Sequence, residues 1–222
     1  PAAPELRERV SFGGSSGYTA AAVSGNHALV LASDSGLWIV DVTDPDAPAE
    51  VGVVDVPGTA KGIALLDDLA ILTGGFPNIQ IYDWSEPTAP ALVGSLHTPG
   101  IIAGVVAAEG LIYVTDRSSL QIVDVSTPSA PVIIGSQPAV NGHAYRVAVD
   151  DDRAYLYGIY SGLMVVDVSN PTAPSLMAAP GMMAKGGVAF AVSPAGFGVV
   201  VGEEIATVPL QCGIAWPGPL WR

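Results

Sequence analysis

Apolar residues along this chain fall in short runs, alternating or wholly apolar, and turn residues break them at nearly regular intervals. The clearest stretch reads "AGVVAAEG", "LIYVTD", "LQIVDVS" and "APVIIGSQ", with Glu109-Gly110, Asp116 to Ser119, Thr127-Pro128 and Pro131 as separators. Runs of this length with a period of two, β-branched residues and Gly/Pro/Asp punctuation predict short strands joined by tight turns. No stretch sustains the 3.6-residue period of an amphipathic helix.

The strand pattern repeats. "LWIVDVTDPDAPAEVG" at 37–52 returns as "IQIYDWSEPTAPALVG", "LQIVDVSTPSAPVIIG" and "LMVVDVSNPTAPSLMA", with the aspartates at 41, 83, 124 and 167, spaced by 42, 41 and 43 residues. A further period from Asp167 lands on Pro209, in a degraded fifth copy where Ile205, Thr207 and Val208 replace Leu163, Val165 and Val166. Four antiparallel strands in about 42 residues, repeated radially, describe a β-propeller blade.

The expected fold is therefore all-β, a five-bladed β-propeller with four-stranded antiparallel blades. The repeats lie near 18–56, 60–96, 102–137, 145–179 and 187–210. The last copy supplies three strands, near Gly187–Val192, Gly198–Val201 and Ile205–Leu210, and the N-terminal "ELRERVSF" reads as an outermost strand with no blade before it. Residues 5–12 are accordingly expected to complete the last blade and close the ring, which removes an open sheet edge. Residues 1–210 form one domain in this reading, and 211–222, "QCGIAWPGPLWR", a tail outside the repeat.

The phrase L-x-I-V-D-V-S/T-x-P-x-x-P resembles the LVIVD-repeat family, over about residues 18–210. Ile79-Gln80-Ile81-Tyr82-Asp83 and the Pro209 copy depart from it. The resemblance implies a secreted or cell-surface propeller, hence an extracellular, cell-surface or periplasmic location. It implies little about activity.

The repeated aspartate admits two readings. Four equivalent carboxylates could bind calcium, a hard cation that wants several oxygens. Each also ends a strand just before Ser or Thr and x-Pro, where its carboxylate can accept backbone N–H bonds in an Asx turn. Equivalent places in successive blades point into separate turns and cannot share one ion, so the structural reading is expected.

Composition narrows the function classes. The 222 residues carry 8 basic and 21 acidic side chains, a formal net charge of −13, which repels phosphate backbones and argues against nucleic-acid binding. No apolar stretch reaches the ~20 residues of a membrane-spanning helix. The single cysteine, Cys212, has no partner for a disulfide within the chain and no neighbouring cysteine for a metal site. The chain begins without Met and without a signal-peptide apolar core, as a processed secreted product would.

Strand alternation sorts the turns into two sets. One holds Asn26-His27, Asp67-Asp68, Glu109 and Asp150-Asp151-Asp152, where calcium is an option and a solvated turn the plainer reading. The other holds the longer links and the remaining turns, with Lys61, Arg117, Arg146 and Lys185, half of the basic residues. Lys61 and Arg146 are expected at one repeat position, just before the innermost strand, with Lys185 near it. These cations, with His97, His143, Tyr145 and Tyr160, form the candidate binding surface around the channel mouth, for a protein partner with acidic character or for subunits of a larger assembly.

There is no Gly-x-Ser-x-Gly elbow, no phosphate-cradling glycine loop and no Cys/His ligand cluster. The expected function is a non-enzymatic extracytoplasmic binding or scaffold module without a resident cofactor. The alternative is a metal-dependent, hydrolase-like enzyme holding an ion at the channel mouth through His97, His143 and Asp116.

Overall fold

The computed structural model describes residues 8, 17–32, 36–74, 78–140, 144–158, 162–181, 189–193, 197–201 and 205–209. Every regular element among them is a β-strand. The chain divides into two compact units, Pro1–His97 with Pro128–Ala130, and Thr98–Thr127 with Pro131–Arg222.

In the first unit, β1 (Tyr18–Ser24), β2 (His27–Ala32), β3 (Gly36–Asp41) and β4 (Ala49–Val54) form one antiparallel sheet in sequence order. A second sheet follows from β5 (Gly62–Leu66), β6 (Leu69–Thr73), β7 (Ile79–Asp83) and β8 (Ala91–Leu96). The second unit repeats the arrangement with β9 (Gly104–Ala108), β10 (Leu111–Thr115), β11 (Ser119–Asp124) and β12 (Val132–Pro138), then with β13 (Arg146–Asp150), β14 (Arg153–Gly158), β15 (Gly162–Asp167) and β16 (Ser175–Gly181). Its last sheet is β17 (Ala189–Ser193), β18 (Phe197–Val201) and β19 (Ile205–Pro209).

Four complete sheets and a three-stranded fifth thus follow the sequence period. Residues 5–12, expected to add the closing strand, lie outside the described residues apart from Glu8. The fifth copy has the expected register: Pro209 pairs with Phe197 at the start of β18, as Asp167 pairs with Arg153 at the start of β14.

Burial explains the repeated phrase. The third strand of each complete sheet is packed on both faces, so Leu37–Val40, Ile79–Tyr82, Leu120–Val123 and Leu163–Val166 are buried, and a near-continuous apolar run, broken only by Gln80 and Gln121, suits such a strand. In the first unit Leu31, Leu37, Ile39, Leu72, Tyr82 and Trp84 belong to one core cluster. In the second, Tyr113, Leu120, Ile122, Leu156, Met164 and Val166 do the same. Fully burying such a side chain stabilises the fold by roughly 1.5–3 kcal/mol.

Between third and fourth strands every complete sheet carries a bulge. Ile39 faces Gly52 but Val40 faces Glu50, and the same one-residue slip recurs at Ile81/Tyr82, Ile122/Val123 and Val165/Val166. A bulge twists an outer strand away from further pairing, which protects an exposed edge. The glycine beside it has a packing reason. A Cβ on Gly52, Gly94 or Gly135 would overlap the carbonyl oxygen of Pro87, Pro128 or Pro171, the first proline of the next repeat's turn. The first three sheets therefore each receive the following repeat's proline turn against bare backbone.

Buried polar groups in these strands serve the links. Gln80 donates from Nε2 to the Pro57 carbonyl at 2.9 Å and accepts from the Tyr82 hydroxyl at 3.1 Å. At the equivalent place in β15, the Met164 sulfur accepts the Val140 amide at 3.1 Å.

Candidate functional site

The repeated aspartates are turn caps. Oδ1 of Asp41, Asp83, Asp124 and Asp167 accepts the backbone N–H of Thr43, Ser85, Ser126 and Ser169 at 2.8, 2.9, 2.8 and 2.9 Å. Asp167 also accepts the Ser169 hydroxyl at 2.6 Å. The hydroxyls of Thr43 and Ser169, then their amides, hold the Asp41 and Asp167 carboxyls below the usual carboxylate range. For Asp83 and Asp124 the amides of Ser85 and Ser126 contribute most to the same lowering. Bonding to the charged form is the cause in all four, and the carboxylates face solvent at separate turns.

The acidic first-to-second turns are equally structural in shape. Ser24 pairs with His27, Leu66 with Leu69, Ala108 with Leu111 and Asp150 with Arg153, which leaves two-residue loops. Gly25, Asp67, Glu109 and Asp151 take positive φ of 54°, 50°, 52° and 47° at the first loop position. Such hairpin loops favour Gly, Asn and Asp, the residue types at Gly25, Asp67 and Asp151. Among the described residues, no three His, Cys, Asp or Glu side chains come together as a metal would need.

The other turns bring three candidate residues together in the second unit. Asp116, Arg117, Ser118 and Ser119 join β10 to β11. Asp116 is 1% exposed, and its Oδ1 accepts from the amide and hydroxyl of Ser118 (3.2 and 3.0 Å) and of Ser119 (2.8 and 2.7 Å). Gln121 Nε2 lies 3.4 Å from the second oxygen. This carboxylate is the organiser of its own turn.

The turn sets Arg117 at φ 68°, a conformation normally left to glycine. The Arg117 carbonyl accepts the Ala144 amide at 2.9 Å, so the turn is fixed to the link before β13. The exposed Arg117 side chain then lies over the Tyr145 ring, with its guanidinium carbon 5.6 Å from the centroid. That distance is within cation–π range. The next residue, Arg146, is exposed and donates from Nη1 to the carbonyls of Ala103 and Tyr145, both at 3.2 Å. Two guanidinium groups and a phenol are thus held by backbone contacts at one end of β13.

Lys61 and His97 are exposed and belong to the first unit. Lys61 does not share the repeat position of Arg146. The Lys61 amide bonds the Thr73 carbonyl, Ala103 that of Thr115 and Tyr145 that of Tyr157, so Tyr145 is the equivalent residue and Arg146 lies one place further on. Side chains alternate along a strand, so this one-residue offset turns the two cations to opposite sides of their sheets. His143, Tyr160 and Lys185 lie outside the described residues.

A match to known proteins agrees with this repeat architecture. The LVIVD repeat model matches residues 17–56, 99–137 and 141–179, more than half of the chain. The chain belongs to the LVIVD-repeat family. The second repeat, which is not matched, has Ile79, Tyr82 and Trp84 where the matched repeats have Leu, Val and Val. Among curated proteins none matches in sequence.

Solved structures share the fold at low identity. The chain is similar to the computationally designed Ika8 protein (TM-score 0.69, 12% identity, 87% of this chain and 58% of that one), so it spans less than two thirds of the designed protein. It is also similar to the β-propeller domain of Cps50 (Swd1) from Myceliophteria thermophila (TM-score 0.65, 15% identity, 88% and 70%). A chain of a nidogen/laminin complex gives TM-score 0.56 at 14% identity, covering 83% of this chain and 71% of that one. This LVIVD protein has the β-propeller fold.

Some of what holds the site was hidden in its sequence. The turn-organising role of Asp116 was hidden because the Ser118-Ser119 pair that bonds its Oδ1 looks like ordinary turn composition. Asp-x-Ser-Ser between two apolar runs was the available signal, since those residue types supply amide and hydroxyl donors to one carboxylate.

Proposed function

We propose that this LVIVD-repeat propeller is a non-enzymatic binding or scaffold module working outside the cytoplasm, which engages an acidic segment of a protein partner. The single observation that carries the reading is Arg117, kept at positive φ by the buried Asp116 and laid over Tyr145 beside Arg146. An arginine fixed in this way forfeits little side-chain entropy when it meets a carboxylate. On a chain with net charge −13, local cations favour an anionic partner and steer its approach.

By strand alternation, links and second-to-third turns leave the same end of each sheet, so Lys61 and His97 are proposed for binding in the first unit, and His143, Tyr160 and Lys185 in the second. The family resemblance supports an extracellular, cell-surface or periplasmic setting. Subunits of a larger assembly are an equally suitable source of the acidic segment. The module as proposed holds no resident cofactor.

Fluorescence anisotropy with a labelled oligoglutamate peptide tests the reading, with oligolysine as control. Saturable oligoglutamate binding that weakens with salt, and that is lost in Arg117→Glu/Arg146→Glu while thermal unfolding stays cooperative, is expected. Equal binding of both peptides, or an undiminished double variant, would overturn it.

A further inference from the structure

One link of the second unit carries an apolar side chain that its fold does not call for. Residues 98–103 lead into β9. The Thr98 hydroxyl donates to the Gly100 carbonyl at 2.9 Å, and the Ala103 amide to the Thr115 carbonyl at 2.8 Å. Between these anchors Ile102 is turned inward, 7% exposed, whereas Ile101 stands 65% open to solvent. The other large apolar side chains exposed among the described residues all stand on strands, in β1, β4, β8, β12 and β16. In the equivalent link of the first unit, counted back from the Lys61 and Ala103 amides, Ala60 takes the buried place and Thr59 the exposed one. A polar residue serves there, so packing within the fold does not account for Ile101.

The link runs from the turn of one arginine to the side chain of the other. Gly100 packs on the turn that carries Arg117: a Cβ on it would overlap the Asp116 carbonyl oxygen and come within 3.0 Å of the Asp116 carboxyl carbon. The Ala103 carbonyl accepts Arg146 Nη1 at 3.2 Å. Ile101 is one residue from the first contact and two from the second, and two residues of chain span at most about 7 Å. Arg117 lies over Tyr145, the residue before Arg146. Three segments of the second unit thus gather two guanidinium groups, a phenol and an exposed isoleucine.

We propose that this surface takes an acidic segment with aliphatic side chains set among its carboxylates, one of which covers Ile101, a narrowing that rests on the acidic-segment reading of Arg117 and Arg146. Charge alone pairs the arginines with any polyanion, and salt screens that attraction. An isoleucine gains only when an apolar group removes it from water. A purely acidic chain leaves Ile101 wet, while leucine, isoleucine or valine covers it. Ile101 is therefore the residue that distinguishes one acidic segment from another, and the arginines are the residues that admit both.

Two labelled peptides of equal length and charge test this by anisotropy, one alternating glutamate with leucine and the other glutamate with serine. The native chain is expected to bind the leucine peptide several-fold more tightly. Ile101→Thr, with the residue type of the equivalent link, should remove that preference and leave the affinity for the serine peptide unchanged. Equal native affinities for the two peptides, or a leucine preference that survives Ile101→Thr, would overturn the inference and leave the acidic-segment reading intact. Binding of neither peptide, or undiminished binding of the leucine peptide by Arg117→Glu/Arg146→Glu, would overturn that reading and the inference with it. Concentration-dependent dimers abolished by Ile101→Thr would assign the surface to a second copy and overturn the inference too. Should Ile101→Thr fail to fold, the ratio of the two native affinities decides alone.

Discussion

Gly135 lies beneath the carbonyl oxygen of Pro171, so closely that a side chain of even one carbon on residue 135 would overlap it. The neighbouring Pro174 ring comes within 3.0 Å of the same place. Backbone meets backbone here, and neither partner can rotate away as a long side chain could. Gly135→Ala should therefore force the two sheets apart and cost about 1–3 kcal/mol, the usual penalty of overpacking. Ala178→Gly, at the place in β16 equivalent to Gly135, should cost only the roughly 0.5–1 kcal/mol of added backbone freedom. Urea midpoints of the two variants check the difference, and equal losses would count against the packing account.

The four turn aspartates give a signed dependence on acid. Their folded-state acidities are raised by Thr43, Ser85, Ser126 and Ser169, so the unfolded chain binds protons more readily in this range. The stabilisation is complete above the unfolded carboxylate value of about 3.9 and is lost as pH falls through the lower folded values. Thermal midpoints should be flat from pH 7 to about pH 5 and fall below about pH 4. Replacing all four with Asn, whose side-chain oxygen can still accept the amide bond, should flatten that fall at a small loss near neutrality. Asp124→Ala should lower the midpoint by a few degrees at neutral pH, since an amide loses its cap.

The period of the phrase made the fold legible because burial acts on it directly. Ile39, Ile81 and Ile122 are wholly buried at the same place in successive sheets, and a strand packed on both faces favours a near-continuous apolar run. The turn role of Asp124 was legible for a related reason, being set by contacts two residues away. The need for glycine at position 94 was not, because its cause is Pro128, brought near only by folding. The equivalence of Lys61 to Tyr145 rather than Arg146 was missed by one residue, since links of different composition give no fixed point from which to count. The Arg117–Tyr145 contact likewise depends on the Ala144 bond to the Arg117 carbonyl, a pairing of two loops with no shared pattern.

Asp116 supports Arg117 from within the fold, and its removal should show in stability before binding. Asp116→Ala leaves the amide and hydroxyl of Ser119 without their acceptor in a buried turn. Stranded buried donors typically cost about 1–3 kcal/mol. Asp116→Asn keeps one acceptor oxygen and should recover most of that loss. Chemical denaturation of both variants checks the order, and an Asn variant as unstable as the Ala variant would show that the charge, not the acceptor, matters.

Arg117 itself separates folding from binding. A non-glycine residue at positive φ carries a backbone penalty of roughly 1–2 kcal/mol, which glycine avoids. Arg117→Gly should consequently fold at least as stably as the native chain, while losing the cation that lies over Tyr145 and with it most oligoglutamate binding. Arg117→Lys retains the charge but not the planar guanidinium, so it should bind more weakly than the native chain and more tightly than the glycine variant. Arg117→Ala keeps the strain and lacks the stacking, and should be the least stable of the three. Denaturation midpoints and peptide anisotropy measured on one set of samples would decide the matter: a glycine variant that loses stability in proportion to binding would make Arg117 a structural residue, and leave the acidic-segment reading to Arg146 alone.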